Sequence, residues 1–378
     1  MKIRSHTSGY ILLLTLMIIS LCVVLVTYIF NKGAVEVPFS YAMIKREKAK
    51  QLALSGIQIA MSQLGKPIEI PQEKTPPAAQ PGQPPAAQVS GQDKALKQYI
   101  ERIVPTLNRW QTFNLHENTD GVDGQIKIAI SSEEGKIDIN QWFDYKHKKF
   151  KSITFPNVKT DQKNDQQKSS QDVGKIILSI AFKNVGKDDL MAEFEKFLKE
   201  RQYRLDDVTE LLQIKGFETF KHRLFYEPPT QAEESKKGER PVYLSDIFTV
   251  WSGKMSIDPW LLSDASAAML GLKRVEPNDI EQRKKAVQES LKDFKGTFQL
   301  PNDWKKLFEP LYGKDFSSLP KGIEFILSNK FAPRIFSVLS YGKVGDVTQK
   351  LLAIVESNQE FKENTLSFTM TIKKLLWL

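Results

Sequence analysis

Zinc, phosphate and acyl-transfer chemistry each need particular side chains at particular spacings. The four histidines (His6, His116, His147 and His222) are scattered, and the single cysteine, Cys22, lies inside an apolar run. Tetrahedral zinc needs clustered Cys and His ligands, so no metal site is expected from these residues. No glycine-rich loop ends in Lys-Ser/Thr, and no Gly-x-Ser-x-Gly elbow occurs. NTDGVDG at 118–124 places oxygen ligands at positions one, three and six, whereas a calcium loop needs one, three and five. It reads better as a turn leading into a strand. The acid pairs Glu133-Glu134 and Asp188-Asp189 lie in polar surroundings and are expected to be exposed, with no raised pKa. No catalytic residue is assigned, and an enzyme is not expected. VTELLQIKGFETFKHRL (208–224) resembles a helix-hairpin-helix, whose Gly-x-Gly turn offers backbone amides to a phosphate. Gly216 is present, but Glu218 replaces the second glycine and would repel phosphate, so this is read as a packing module without nucleic acid.

The strongest signal is at the start. Lys2 and Arg4 precede Gly9, and from Tyr10 to Phe30 there is no charge, proline or glycine. About 20 helical residues cover a bilayer's hydrocarbon core, so this run is long enough to span it. A secretory signal has a shorter apolar stretch and a small-x-small site, which NKGAVEVP does not supply. A lipoprotein needs small residues before its cysteine, but Leu21 precedes Cys22. A plain anchor and a segment cut after Gly9 both remain open on these residues. Lys2, Arg4 and the initial amine favour a cytoplasmic N-terminus, and KREKAK at 45–50 counts against it.

Elements around this run set its context. Pro38 marks a kink or break. The stretch to Leu64 is helical, and Ala49, Ala53, Gly56 and Ala60 form a stripe of small residues. That stripe suits either close approach of a neighbouring helix or packing on the chain's own domain. Seven prolines in 67–92 describe a solvated linker, and 156–175 and 228–240 read as long polar loops. KALKQYIERIV (94–104) is an amphipathic helix, and GQIKIAI-SSEEG-KIDIN reads as a β-hairpin. Helical patterns fill 176–226, 277–296 and 302–312, with a shorter one at 320–329 and a helix opened by Asp258-Pro259. Residues 334–357 read as two strands about a glycine turn, and NTLSFTMTIKKLLWL as another. The fold class is α+β. The chain has 378 residues, 41% apolar, with a formal charge of +9; its lysines are interleaved with acids, and the densest block, YKHKKFK at 145–151, reads as a solvated loop.

Five stretches in order resemble the minor pseudopilin K family of type II secretion systems: SGYILLLTLMIISL through QLALSGIQIAMSQL, ISSEEGKIDIN, RLDDVTELLQIKGFETFKHRL, LSDIFTVWSGKMSIDPWLLSDASAAML and FSVLSYGKVGDVTQKLLAIVE. The resemblance implies a transmembrane and stem helix with a pilin-like antiparallel sheet, interrupted by a large inserted helical domain. On it the chain divides into a leader (1–9), transmembrane and stem helix (10–64), Pro-rich linker (65–92), first part of the head (93–174), inserted helical domain (175–330) and closing strands (331–378). It implies cleavage between Gly9 and Tyr10 by a prepilin peptidase, with methylation of the new N-terminus. The fifth residue after the cut, a buried glutamate in most pilins, is here Leu14, as in the K members. The implied role is non-enzymatic: capping the tip of a pseudopilus and helping minor pseudopilins I and J start its assembly with the major pseudopilin. The implied location is a single pass of the inner membrane with a periplasmic head. Some members bind calcium, but no ligands are assigned here, and no other cofactor is expected. Two departures stand out: Tyr10 follows the cut where an aliphatic residue or Phe is commoner, and MSIDPW replaces an Asn-rich signature. The alternatives are a type IV pilus minor pilin and a membrane-anchored DNA-binding protein of an uptake system.

Overall fold

The structure, a computed structural model, describes residues 7–69, 91–151, 173–184, 190–220, 224–225, 242–272, 280–292, 302–319, 323, 326–328, 330–362 and 365–378. One helix, α1 (Thr7–Gly65), runs for 59 residues, about 88 Å at 1.5 Å per residue. Its apolar run keeps the backbone ladder unbroken, and the hydroxyls of Thr15 and Thr27 donate back to the carbonyls of Ile11 (3.1 Å) and Val23 (2.8 Å). The two threonines of the run therefore satisfy themselves without water. Pro38 does not break the helix, because it removes one i→i−4 bond while the neighbouring turns keep theirs.

The strands are β1 (Ile68–Glu69), β2 (Trp110–Leu115), β3 (Gly124–Ser132), β4 (Ile137–Asp138), β5 (Phe143–Asp144), β6 (Lys149–Phe150), β7 (Phe248–Thr249), β8 (Ile335–Val344), β9 (Val347–Lys362) and β10 (Thr365–Trp377). Six of them form an antiparallel sheet in the order β1-β10-β9-β8-β3-β2. β8 and β9 are joined by a tight turn at Gly345 (φ +60°), as the glycine in that stretch predicts. Alternation along β3 turns Ile126 and Ile128 towards α1 and Ala129 towards the opposite face. With α1 on one face of an antiparallel sheet and further helices beyond, the class is α+β.

α2 (Gly91–Ile103) secures the end of α1 to the start of β10. Tyr99 stacks on Phe368 with ring centroids 4.6 Å apart, and the Arg102 guanidinium lies 5.3 Å from the Phe368 ring and donates to the Lys66 carbonyl. β3 and β8 are neighbours, with Ser132 opposite Phe336, yet residues 133–334 separate them in sequence. This insertion holds the helices Val173–Asn184, Leu190–Glu200, Ile280–Ser290 and Asn302–Tyr312. Phe182, Phe194, Phe217 and Phe248 form its aromatic centre, with Phe194 and Phe248 stacked at 5.6 Å. It covers the sheet face opposite α1. There Ala129, Leu339 and Leu352 face Val208, Phe225 and Trp251 across a cavity of about 60 Å³.

Three local expectations need correction. KIDIN does not fold back on GQIKIAI: β3 pairs with β2 and β8, and β4 pairs in parallel with β7. The turn SSEEG leaves the sheet instead of reversing within it, because the buried partners of Glu133 and Glu134 lie in the insertion and at its return. Asp258-Pro259 opens only a turn, in which Asp258 Oδ1 accepts from the Trp260 N–H at 3.0 Å. The short helix that follows, Asp264–Met269, is capped by Ser263. The proline-rich stretch begins with a strand residue pair, Ile68–Glu69, and its residues 70–90 lie outside the described residues, as do most of 156–175, all of 228–240, and Asp188-Asp189.

Candidate assembly site

α1 divides into two unlike halves. Before Lys45 its described side chains are exposed, and beyond it Ala49, Leu52, Ala53, Ile57, Ala60 and Leu64 are buried on the sheet. Lys45 marks the junction, pairing with Asp346 in the β8–β9 turn at 3.0 Å. The free half therefore projects roughly 55 Å from the head, more than a bilayer's hydrocarbon core of about 30 Å. It is long and apolar enough to cross a membrane. Gly9 lies in the first turn of α1, Tyr10 is 72% exposed and Leu14 46% exposed. No charged residue lies between Tyr10 and Phe30, so the run around Leu14 offers packing and no charge partner.

The small-residue stripe has its use in the docked half. A β-carbon on Gly342 of β8 would meet the Ala49 carbonyl and lie 2.5 Å from the Ala53 nitrogen. On the facing side, a β-carbon on Gly56 would meet Ser340 Oγ and lie 2.9 Å from methyls of Ile126 and Ile128. Two glycines facing each other's element let helix and sheet backbones approach closely. Of the two readings open for this stripe, packing on the chain's own sheet is the one realised.

Where the insertion leaves and rejoins the sheet, a buried polar cluster closes its base. Glu133 pairs with Lys136 at 2.5 Å and accepts from Thr249, while Lys136 donates to Ser337 at 3.1 Å. Glu134 Oε1 accepts the N–H groups of Arg334 (2.7 Å) and Ile335 (3.1 Å), the residues at which the chain re-enters the sheet. The Glu134 carbonyl accepts from the Asp258 N–H at 2.8 Å. Burial raises the Glu134 pKa, partly offset by Lys254 Nζ at 3.8 Å. Burial likewise pushes the Asp258 carboxyl up to about 8, with Glu134 adding to the effect. The expectation of exposed acids at Glu133-Glu134 is thus overturned, and for Glu134 so is that of an unraised pKa. Both are buried because they bind the two ends of the insertion together.

A second clamp holds the loop before residues 208–213. Asn140 Nδ2 donates to the Leu205 carbonyl (2.8 Å), and Asn140 Oδ1 accepts from the Leu205 N–H (2.9 Å) and Tyr145 OH (3.1 Å). Beyond it the hairpin-like stretch forms two 3₁₀ turns about Gly216 (φ +93°). The Gly216 N–H donates to Glu218 Oε2 at 2.6 Å, so the amide a phosphate would need is taken by a carboxylate. In NTDGVDG, Asp120 and Asp123 accept the N–H groups of His116 (2.9 Å) and Glu117 (2.8 Å), forming the turn between β2 and β3. Among the described residues no group of three His, Cys, Asp or Glu side chains is placed to hold a metal ion.

No family model and no curated protein matches the chain. It is similar to a chain in the crystal structure of the GspK-GspI-GspJ complex from the enterotoxigenic Escherichia coli Type 2 Secretion System, at 10% identity and a TM-score of 0.36, with 75% of this chain and 91% of that chain covered.

Proposed function

We propose that the chain is a non-enzymatic minor pseudopilin of the K type, anchored by the free half of α1 and assembled through it. The observation that supports this most is the division of α1. Its free half is exposed, apolar and uncharged from Tyr10 to Phe30, and its other half is fixed on an antiparallel sheet whose neighbouring strands β3 and β8 are separated by a helical insertion. Such a helix is a membrane anchor first and a stem in a filament afterwards. On this reading residues 1–9 are a leader, and a prepilin peptidase cuts between Gly9 and Tyr10. The head stands outside the inner membrane, in the periplasm.

Leu14 has a physical place in this reading. A glutamate there would be tolerable in a bilayer only if paired, and the implied partner is the new amine of a neighbouring subunit. A subunit at the tip of a filament lacks a neighbour on one side, so an apolar residue costs it nothing. Capping the pseudopilus and starting its assembly with minor pseudopilins I and J follow from that position. The DNA-binding alternative is disfavoured by the Glu218 carboxylate on the Gly216 amide.

The test is N-terminal sequencing of the full chain expressed with and without a prepilin peptidase. A new N-terminus at Tyr10, lost in Gly9→Ala, is the expected result. A chain that keeps Met1 in the presence of the peptidase would rule the reading out.

A further inference from the structure

Beyond its membrane-length run, α1 keeps an apolar line. The run from Tyr10 to Phe30 covers about 31 Å at 1.5 Å per residue, the full depth of a hydrocarbon core. From Phe30 to Ile44 the helix travels about 21 Å further before Lys45 meets the head. Along that reach Phe30, Ala34, Val37, Tyr41 and Ile44 follow one another at spacings of four, three, four and three, which sets them on one side of the helix. The four large side chains among them are each at least 53% exposed. The polar residues of the same reach, Asn31, Lys32, Glu36 and Ser40, lie off the line, and Lys32 pairs with Glu36 at 3.7 Å.

The same line runs on in both directions, and its chemistry changes where the head begins. Towards the membrane it continues as Leu16, Ser20, Val23 and Thr27, the Thr27 hydroxyl being satisfied by the Val23 carbonyl at 2.8 Å. In the other direction the next residues at this spacing are Lys48, Gln51, Ser55 and Gln58, all polar and all exposed. That stretch carries the head on Ala49, Ala53, Gly56 and Ala60, about 100° or more round the helix, so the line there faces water. One side of α1 is thus polar where it faces water beside the head, and apolar where no described residue covers it. Such a change marks the apolar part as a contact surface.

We propose that this side of α1 takes a second copy of the chain, the two helices lying parallel from Leu16 to Lys48. The proposal rests only on the anchoring part of the pseudopilin reading. An apolar line that enters the bilayer without a break needs a cover that enters it too, which is another anchored helix; two copies in one membrane lie parallel. Every layer of a parallel pair meets its own equal. Ser20, Thr27 and Ala34 face their counterparts, small on small, and let the backbones close in, while Val23, Phe30 and Val37 fill the layers between. Charge selects the second copy. Lys48 is the one cation on the line and makes no ion pair among the described residues, and Glu47 beside it holds only a surface contact with Lys50 at 2.8 Å. In a parallel pair Lys48 of each copy reaches Glu47 of the other, and a single lysine on such a seam fixes its register. The head sits well round the helix from the line, so a two-fold axis between the helices places the two heads on opposite sides.

Disulfide scanning of the full, uncleaved chain tests this in phosphatidylethanolamine–phosphatidylglycerol vesicles that hold no other protein. Cys22 lies off the line and is first replaced by serine. Single cysteines then go to Val37 and Ile44 on the line, and to Phe39 and Met43, which are exposed on the other side. Mild oxidation is expected to join copies through Val37→Cys and Ile44→Cys about tenfold more than through Phe39→Cys or Met43→Cys, because a disulfide needs Cα atoms within about 7 Å. In the Ile44→Cys chain, Lys48→Glu is expected to lower the yield about threefold, and adding Glu47→Lys to restore it. Equal yields on both sides of the helix, or none on either, overturn the proposal alone, since cleavage after Gly9 is tested separately. So does a Val37→Cys chain that joins only to a cysteine on a co-reconstituted minor pseudopilin, because the line then belongs to a different helix. A chain that fails to float with the vesicles removes the anchor, and the pseudopilin reading with it.

Discussion

Gly342→Ala isolates the contact that joins the stem to the head. The new methyl would overlap the Ala49 carbonyl oxygen, sit 2.5 Å from the Ala53 nitrogen and 2.9 Å from Leu52 Cβ. Two of these are backbone atoms within a continuous helix, so no rotamer change relieves them. α1 would have to lift from β8, loosening the burial of Leu52, Ile57 and Leu64. Overpacking usually costs about 1–3 kcal/mol. With backbone as the obstacle, the upper end applies, about 3 kcal/mol. At about 2–4 °C per kcal/mol for a domain of this size, the melting temperature should fall by roughly 6–12 °C. Thermal unfolding of the full chain in detergent, followed by tryptophan fluorescence, measures it. Gly56→Ala is a graded companion. Its methyl meets a rotatable hydroxyl, Ser340 Oγ, and two isoleucine methyls, and it regains about 1 kcal/mol of helix propensity. It should therefore cost less than Gly342→Ala. Gly91→Ala has no atom within 4 Å and serves as the control. If Gly342→Ala melts with the control, the close approach of α1 and β8 is not what docks the stem.

Three further outcomes concern the insertion. Lys136→Met leaves the Glu133 carboxylate buried without its ion-pair partner and should cost about 3–5 kcal/mol, most of it recovered by adding Glu133→Gln; simple additivity in urea titrations would deny the pairing. Asp258 is held protonated when folded, up to about 8, but is ionised above about pH 4 when unfolded, so the unfolded state binds fewer protons between these limits and stability falls as pH rises through that window. Asp258→Asn should flatten that decline in urea midpoints measured across the window, and an unchanged slope would contradict the assignment. Asn140→Ala strands both backbone groups of Leu205 and should cost about 3 kcal/mol in chemical denaturation; a loss under about 0.5 kcal/mol would show that the clamp is dispensable.

What could be read in advance divides along physical lines. Periodicity and composition are local, so the apolar run of α1, the amphipathic helix at 94–104 and the strands β8, β9 and β10 were legible. The glycine turn at 345 was legible for the same reason. Pairing is not local: nothing in KIDIN distinguishes a hairpin with β3 from a parallel contact with Phe248–Thr249, more than a hundred residues away. The acids at 133 and 134 were misread because, apart from the nearby Lys136, the partners that bury them, Thr249, Lys254 and Arg334, come from distant parts of the chain. Gly342 had a signal that was available, since an isolated glycine within a strand marks close backbone approach. The adjacent turn glycine obscured it. Of the assembly site itself, the apolar character of the free half was plain from composition, and its length beyond the head was not. That length is set by where Lys45 meets Asp346.

The arrangement of layers gives a reason why so large an insertion is compatible with a stem. α1 and the insertion use opposite faces of one sheet, and β3 contributes to both: Ile126 and Ile128 to the stem, Ala129 to the insertion. Changes in the insertion then act on one set of alternating side chains and leave the other set in place. This separation needs β3 and β8 to stay paired although their ends are distant in sequence. Closing a long, flexible loop costs entropy that grows only slowly with length. The sharper requirement is that the loop's two ends meet in one register. Glu134 meets it by accepting from Arg334 and Ile335 together, which ties residue 134 to the first residues of β8. A hydrophobic contact could bury the same area but would not select a register, whereas two donors on one carboxylate oxygen do. The desolvation that raises the Glu134 pKa is the cost of that specificity. The head is thus built so that the stem's seat is determined at the sheet, independently of what the insertion carries.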